Sequence, residues 1–513
     1  MDIREQVQEI EKTRERILLG GGPDEIEKQH RQGKLTARDR VEKFVDSGSF
    51  AEHQTFVRPT MTGIEAIDKE VQRFRGDGIV AGYGKVNGRP LCLWAQDATV
   101  FGGRVGTMHG VRMTEITARA LRARIPLVGM FDSQGMRVED VITTPTNYSY
   151  DGLMQIQTSA SGVIPQLSLV MGPCVGAAAF CAQLADFVFM VRRVSYAYVS
   201  PPPPGISLDE MGGAWMHAKS TGSCDVLCES DEDCLAKAKE LLSFLPLNCW
   251  EKPPVLDTGD DPEREISELL DLIPTNTLKP YDMYQFISLI VDNGCFFEIK
   301  HYWATNLIIG FAHMSGHPVG IIANNPQSKG GCLDVDAADK EARFARFCDA
   351  FDIPLIWICE TPAFLPAVEQ EHKGIIRHGS KQVYANSETS APMLTVYPRK
   401  AYGGGNLAMP GNMLGGDVGL AWPSARILLM DPQGAASIKY RREVEAAPDK
   451  EAELRRRTQE FKAASSTETV WEMITLQDYI RPEQTRAKLI KYLQFLLNKK
   501  KERAWRKHDN IQL

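Results

Sequence analysis

Apolar and polar positions alternate in blocks of two periods, and the blocks recur in the same order twice along the chain. Ile79-Val80 and Leu91-Cys92-Leu93-Trp94 flank Asn87-Gly88, a turn dipeptide, so this segment predicts a β-hairpin. Met113, Ile116, Ala120 and Leu121 follow as a stripe at i, i+3, i+7 and i+8, interrupted by Thr117, and predict a helix. Residues 125–131 are a short apolar run bounded by charged or Gly/Pro-containing loops, as expected of a strand covered on both faces. A second helix and a third strand, residues 166–171, come next. Further along, Leu307-Ile308-Ile309 and Val319-Gly320-Ile321-Ile322 flank Ser315-Gly316. Phe344, Phe347, Cys348 and Phe351 then form a cleaner stripe at i, i+3, i+4 and i+7, and residues 353–359 and 393–397 read as buried strands. Strands alternating with helices argue an α/β unit.

The recurrence has one spacing. Asn87-Gly88-Arg89-Pro90 returns as Ser315-Gly316-His317-Pro318 (316 − 88 = 228). At the same spacing Gly102-Gly103 returns as Gly330-Gly331, residues 125–128 as 353–356, Asp132 as Glu360, and Gly176-Ala177 as Gly404-Gly405. Two copies of one folding unit are implied. Beyond the last pair, Phe189-Met190 pairs best with Leu429-Met430 (430 − 190 = 240), so about 12 extra residues are expected in copy two, around 410–420. Residues 245–262 hold Pro246, Pro253, Pro254 and Pro262 and read as a linker. The expected domains are therefore residues 1–260, with an N-terminal helical extension over about residues 1–60, and residues 261–513.

Composition narrows the function. The 513 residues are 43% apolar and 24% charged, as in ordinary globular chains, and a net charge of −7 lacks the footprint of a nucleic-acid binder. The most apolar stretch, residues 163–191, is broken by Pro165, Gln166, Pro173, Gln183 and Asp186, so no membrane insertion is expected. A charged N-terminal pattern without a signal-peptide core and 11 scattered cysteines point to reduced thiols in a cytoplasmic protein. Cys224, Cys228 and Cys234 with His217 upstream lack a CxxC pair, and no metal site is expected. The basic run Lys499, Lys500, Lys501, Arg503, Arg506 and Lys507 reads as a solvated helix end.

Candidate chemistry lies in the glycine motifs. Residues 171–179 follow a strand and lead into small residues that can open a helix. Such a helix start exposes backbone N–H groups suited to an anion that develops during reaction, for example a thioester enolate; close helix–strand packing is the alternative reading. Residues 399–405 occupy the matching place in copy two. GxSxG, GxxxxGK[ST], GxGxxG and HExxH do not occur, which favours backbone dipoles and a bound cofactor over ionisable side chains. His109, His217, His372 and His378 read as packing or local hydrogen-bond residues, and Lys329 and Lys400 as either surface cations or phosphate contacts.

Several stretches resemble a known family. They include Gly76-Asp77-Gly78-Ile79-Val80, Thr99-Val100-Phe101-Gly102-Gly103, Met171-Gly172-Pro173-Cys174, Gly212-Gly213-Ala214, Ile375-Ile376-Arg377-His378-Gly379, Arg399-Lys400-Ala401-Tyr402-Gly403-Gly404 and Lys507-His508-Asp509-Asn510-Ile511. From about residue 25 onward the chain resembles the carboxyltransferase (β) subunits of biotin-dependent acyl-CoA carboxylases of the propionyl-CoA carboxylase type. The resemblance implies two tandem crotonase-like (ββα spiral) domains. Acyl-CoA would bind the first, and biotin, carried on a separate protein, the second domain of a neighbouring subunit. At least a dimer is then required, and hexamers are usual. A biotin carboxylase and a biotin carboxyl carrier subunit are the implied partners, because the chain has no biotin-attachment motif or ATP-grasp half of its own.

By the same resemblance Gly176 and Ala177 would hold the enolate oxygen, and Gly404 and Gly405 the biotin ureido oxygen. Gly102, Gly103, Gly135, Met136, Pro362, Ala363, Tyr402, Asn406 and Leu407 would line the substrate and cofactor sites. Departures from the family cluster there. Gln134 and Met136 stand where it has Gly and Ala, Ala363 where it has Gly, and Asn406-Leu407 where it has Tyr-Asp. They imply an acyl-CoA other than propionyl-CoA. Two alternatives are the carboxyltransferase of a biotin-dependent decarboxylase, running the step in reverse, and a non-catalytic assembly paralogue.

Overall fold

Asn87 and Gly88 turn the first hairpin at φ 50° and 76°, and Ser315 and Gly316 turn the second at 51° and 78°. Each turn is clamped by one carboxylate: Asp46 accepts from the N–H groups of Asn87 and Gly88, and Asp292 from those of Ser315 and Gly316. The computed structural model describes residues 2–512 except 62, 66, 67, 70–73, 75, 144–149, 412 and 465–475. The chain falls into two compact units, Met1–Glu251 and Lys252–Leu513, dividing inside the proline-rich stretch and ahead of residue 260.

In unit 1 the strands are β1 (Ala51–Glu52), β2 (Ile79–Val86), β3 (Arg89–Gln96), β4 (Leu127–Ser133), β5 (Gln166–Val175), β6 (Phe187–Val191), β7 (Tyr196–Tyr198) and β8 (Val226–Cys228). They run in the order β1-β2-β3-β4-β5-β6-β8, with β7 paired to β5. The hairpin β2–β3 is antiparallel, and pairing from β3 onward is parallel. Unit 2 has β9 (Phe296–Ile299), β10 (Leu307–Met314), β11 (His317–Asn324), β12 (Leu355–Ile358), β13 (Met393–Tyr397), β14 (Lys400–Tyr402), β15 (Val418–Ala421), β16 (Arg426–Leu428) and β17 (Asp478–Tyr479). Its main sheet runs β17-β15-β13-β12-β11-β10-β9, with β14 and β16 paired apart. The predicted helical stripes fall on helices Thr107–Ala123 and Val335–Ala350 and are buried except for the half-buried Leu121, with Phe351 just past the end of the second helix. Trp94 meets Phe131 edge-on at 4.8 Å in the first core, and Phe286 stacks on Trp422 at 5.3 Å in the second.

Strand register refines the duplication. Met130 pairs with Leu169 and Ile358 with Val396, so the spacing is 228 on β4/β12 (358 − 130) but 227 on β5/β13 (396 − 169). Val175 opposite Tyr198 matches Tyr402 opposite Leu428, so Gly176 corresponds to Gly403 and Ala177 to Gly404, one residue off the echo read from sequence. On the next strand Leu167 pairs with Phe187 and Leu394 with Val418. The spacing there is 231 (418 − 187), so the insertion is four residues (231 − 227), not about 12. Met190 corresponds to Ala421; the expected match, Leu429-Met430, lies beyond β16 with Leu429 84% exposed. The larger excess comes later, in helices Pro432–Lys439, Arg441–Ala446 and Lys450–Ala464 that precede β17.

The N-terminal extension is three helices, Ile3–Leu18, Pro23–Arg31 and Ala37–Phe44, the first and third opened by capping boxes at Asp2 and Thr36. It is held to unit 1 by buried charge. Arg40 donates to Asp231 at 2.8 Å, to Asp132 at 2.9 Å and to the Met171 carbonyl at 3.0 Å, and Lys34 donates to Asp132 at 2.7 Å. The basic C-terminal run follows helix Thr485–Leu496; Lys500, Arg503, Arg506 and Lys507 are exposed as expected, yet part of the run is also engaged. Lys501 donates to the carbonyls of Ser387 and Thr389 and Arg503 to that of Glu388, capping the negative end of helix Ile375–Glu388. No described helix is long and apolar enough to cross a membrane.

Candidate active site

The two glycine motifs make the same turn. β5 ends at Val175, Gly176 takes φ 65°, and helix Ala177–Gln183 begins. In unit 2, β14 ends at Tyr402, Gly403 takes φ 55°, and helix Gly403–Ala408 begins. A Cβ on Gly403 would also lie 2.8 Å from the Leu429 carbonyl oxygen, so both conformation and space demand glycine. The N–H of Gly176 is already donated to the Tyr198 carbonyl at 2.9 Å. This corrects the expected Gly176–Ala177 donor pair: Gly176 shapes the turn, and the helix start leaves Ala177 and Ala178 without an acceptor among the described residues. Gly404 and Gly405 are likewise without one. The pairs are equivalent at the local spacing (404 − 177 = 405 − 178 = 227).

On the unit 1 side, the other expected residues gather where β4 ends. Gly103 lies against Asp132, whose carbonyl oxygen would be 2.1 Å from a Cβ, and the exposed Gln134 side chain lies 3.3 Å from the Cβ position of Gly102. The Gly135 carbonyl accepts from Val105 at 2.9 Å, and Met136 bridges Val105. Ser133 pairs with Cys174, so this loop leaves β4 beside the strand that delivers Gly176. Unit 2 repeats the loop with Ala363 accepting from Leu333 and Phe364 bridging it, which makes Phe364 the counterpart of Met136 (364 − 136 = 228).

Unit 2 adds a cavity of about 560 Å³ beside its donor pair. Gly404, Leu407, Phe364, Ile376, Val383 and Tyr384 are among its walls. A Cβ on Gly404 would make ordinary contact with the Phe364 ring at 3.4 Å, whereas one on Gly405 would press on Thr361 at 3.0 Å and Ala363 at 3.1 Å. Tyr402 is buried, its N–H donates to the Thr361 carbonyl at 3.0 Å, and burial pushes its phenol up to about 12. Leu407 stands at the rim, 40% exposed, and Pro362 is half-buried in the same loop. Asn406 departs from expectation. It turns inward with its Oδ1 4.0 Å from Cys359 Sγ, because on this short helix it lies on the face opposite the rim.

Side chains that titrate are engaged elsewhere. His109 is fully buried, which pushes it down to about 3; His217 meets the Ala197 carbonyl at 2.7 Å and His378 meets Asp339 at 2.8 Å. Lys329 pairs with Asp334, and Lys400 lies 3.6 Å from Glu360. Among the cavity's lining residues only Tyr384 is ionisable. No three metal-ligating side chains gather among the described residues. The cavity is mainly apolar, with the Gly404 N–H at its edge and that of Gly405 one residue further on, a setting suited to an apolar group bearing a carbonyl oxygen.

Sequence reasoning missed the adjacent buried pair Lys340 and Glu341. Lys340 donates to the Leu307 carbonyl at 2.7 Å, as Arg112 does to that of Ile79 at 2.6 Å, 228 residues earlier (340 − 112). Their position on the sheet-facing side of a helix whose apolar stripe was read correctly was the available signal.

Comparison with known proteins agrees with this geometry. The carboxyl transferase domain matches residues 28–511. The chain is 39% identical over 523 residues to the propionyl-CoA carboxylase carboxyltransferase subunit of Haloferax mediterranei, covering 100% of both. It is 40% identical over 518 residues to the methylmalonyl-CoA decarboxylase subunit alpha of Veillonella parvula, covering 100% of this chain and 99% of that one. Among solved structures, transcarboxylase 12S, a hexamer assembly with methylmalonyl-coenzyme A bound, superposes with a TM-score of 0.95 at 37% identity over 100% of this chain and 99% of that one. The chain therefore belongs to the carboxyl transferase domain family, that of the biotin-dependent acyl-CoA carboxyltransferases.

Proposed function

We propose that this carboxyltransferase moves a carboxyl group between carboxybiotin on a partner protein and the α carbon of an acyl-CoA. The observation that carries the reading is the pair of free N–H groups at equivalent positions of both units, Ala177–Ala178 and Gly404–Gly405. Unit 1 takes the thioester, and its donors would stabilise the enolate oxygen as the α-proton passes to the ureido nitrogen freed when the carboxyl group leaves biotin. Unit 2 takes biotin, which supplies or accepts the carboxyl group when bound. Gly404 and Gly405 orient the ureido oxygen, and the apolar walls around them keep water from the labile carboxyl group. Gly102, Gly103, Gly135 and Met136 line the acyl-CoA side, and Pro362, Ala363, Tyr402 and Leu407 the biotin side. A biotin carboxylase and its carrier protein are the partners, the assembly is a hexamer of this chain, and the compartment is the cytoplasm.

The acyl group is one other than propionyl. Leu407 puts a half-exposed apolar side chain at the rim of the cavity, and the exposed Gln134 side chain lies beside Gly102 on the acyl-CoA side. A panel of acyl-CoAs, with propionyl- and methylmalonyl-CoA included, tests both levels. Transfer from the carboxylated carrier to some acyl-CoA is expected, with highest kcat/KM for one other than propionyl-CoA. Highest kcat/KM for propionyl-CoA sinks the substrate assignment, and no transfer to any thioester sinks the function. The second reading, a decarboxylase, is favoured by the Veillonella relative. Capturing the assembled protein and identifying the biotinylated partner separates the two, since a membrane decarboxylase subunit in place of an ATP-dependent biotin carboxylase selects the reverse reaction.

A further inference from the structure

A fully buried carboxylate stands behind the donor pair of unit 2, and nothing in the transfer chemistry described above uses it. Glu341 lies on helix Val335–Ala350, and its Oε1 accepts from Trp357 Nε1 at 3.0 Å and from Asn386 Nδ2 at 2.9 Å. Its Oε2 accepts from Gln382 Nε2. The second hydrogen of the Asn386 amide goes to the Ala408 carbonyl at 2.8 Å, which Gln382 Nε2 also reaches at 3.4 Å. Ala408 ends the helix that Gly404 and Gly405 begin.

Unit 1 holds the same carbonyl more simply. Gln157 Nε2 donates to the carbonyl of Cys181 at 3.1 Å, and Cys181 is the counterpart of Ala408 (408 − 181 = 227). The counterpart of Glu341 is Met113 (341 − 113 = 228), fully buried in the apolar core. The fold therefore needs one amide at this place and no charge. Burying a carboxylate there is unfavourable, and burial pushes its carboxyl up to about 7. What the carboxylate adds is direction. When ionised it accepts only, and in that state it forces the N–H₂ ends of both amides towards itself and Ala408. The Oε1 of Gln382 and the Oδ1 of Asn386 are left buried without partners, an arrangement that neutral surroundings would not select. Both amides sit on helix Ile375–Glu388, which also contributes Ile376, Val383 and Tyr384 to the cavity wall.

We propose that Glu341 is a positioning residue for the transfer step: through Gln382 and Asn386 it fixes the carbonyl end of helix Gly403–Ala408, and with it the aim of the Gly404 and Gly405 N–H groups. The inference rests on the reading that those groups meet the reacting ligand. The test compares Glu341→Gln, the same shape without the charge, and Glu341→Met, the unit 1 residue, in the full assembled protein. Hydrogen exchange over residues 403–409 is followed against 177–183, and transfer between a carboxylated acyl-CoA and free biotin gives kcat and both KM values. Exchange is expected to rise at 403–409 alone, with kcat down about tenfold and the acyl-CoA KM within about twofold of native. Unchanged exchange in both variants overturns the proposal whatever the activity does. Faster exchange with native kcat also overturns it, leaving the relay a scaffold. Faster exchange with lower kcat and a shift in the acyl-CoA KM in place of the biotin KM upholds the relay and instead removes biotin from unit 2. If Glu341→Gln does not fold, Glu341→Met carries the comparison, because Met113 occupies the equivalent place in a folded core.

Discussion

A methyl group at residue 103 would meet the Asp132 carbonyl oxygen at 2.1 Å, whereas one at 102 would meet only the end of the Gln134 side chain at 3.3 Å. Both glycines have positive φ, so each alanine carries a conformational penalty of about 1 kcal/mol. Gly102→Ala should lower stability by about that much, and Gly103→Ala by at least about 3 kcal/mol because backbone must move; equal urea midpoints would sink the distinction. A pH effect follows from Glu341. Its carboxyl rises from 4.5 to about 7 on folding, so the native state holds the proton more tightly than the unfolded chain does. Its contribution is fully present below pH 4.5, is lost as pH rises towards 7, and is level above that. Glu341→Gln removes this loss, so the melting temperature of the variant minus that of the native protein should increase between pH 5 and pH 7.5. Lys340, common to both proteins, cancels in that difference; a flat difference would remove the buried ionisation. Residue-level detail was partly legible in sequence. Two free N–H groups per copy were expected, but the run Gly403-Gly404-Gly405 allows either alignment with Gly176, and only backbone register tells which glycine turns.

Among the elements, hairpins and buried strands were legible because apolar runs between turn residues have few other solutions in water. The insertion was misplaced because β15 is four residues long, and a surface dipeptide, Leu429-Met430, matched Phe189-Met190 better in composition than the true counterpart did. The docking of the third N-terminal helix was invisible for a different reason. Charged residues in a helical pattern read as solvated, yet Arg40 is buried between Asp132 and Asp231, partners 92 and 191 residues away. Removing one member of such a cluster leaves the others uncompensated. Arg40→Leu should therefore destabilise by about 3–5 kcal/mol, more than loss of the side chain's packing alone would give. Denaturant unfolding checks this, and a change below about 0.5 kcal/mol would mean that Lys34 alone satisfies both carboxylates.

At the scale of the whole molecule, duplication supplies two copies of one donor geometry, and what differs between them is what surrounds it. Unit 1 has an amide and Met113 behind its helix and Gln134 beside its loop; unit 2 has Glu341, a cavity and Leu407 at its rim. That cavity is open on a side where Ile376 is 76% exposed and Leu407 40%, an apolar surface of the kind that a neighbouring chain covers. On the proposal that acyl-CoA reaches Gly404 and Gly405 from another subunit of a hexamer, this surface is where that subunit would sit. Ile376→Glu places a charge there without touching the core, since its side chain makes little of the helix's buried face. The variant should keep a cooperative melt within a few degrees of native, give a lower mass by light scattering, and lose carboxyl transfer. Native mass with lost transfer would mean that chains meet through another surface and that the apolar rim serves the ligand alone, and native mass with native transfer would remove both roles.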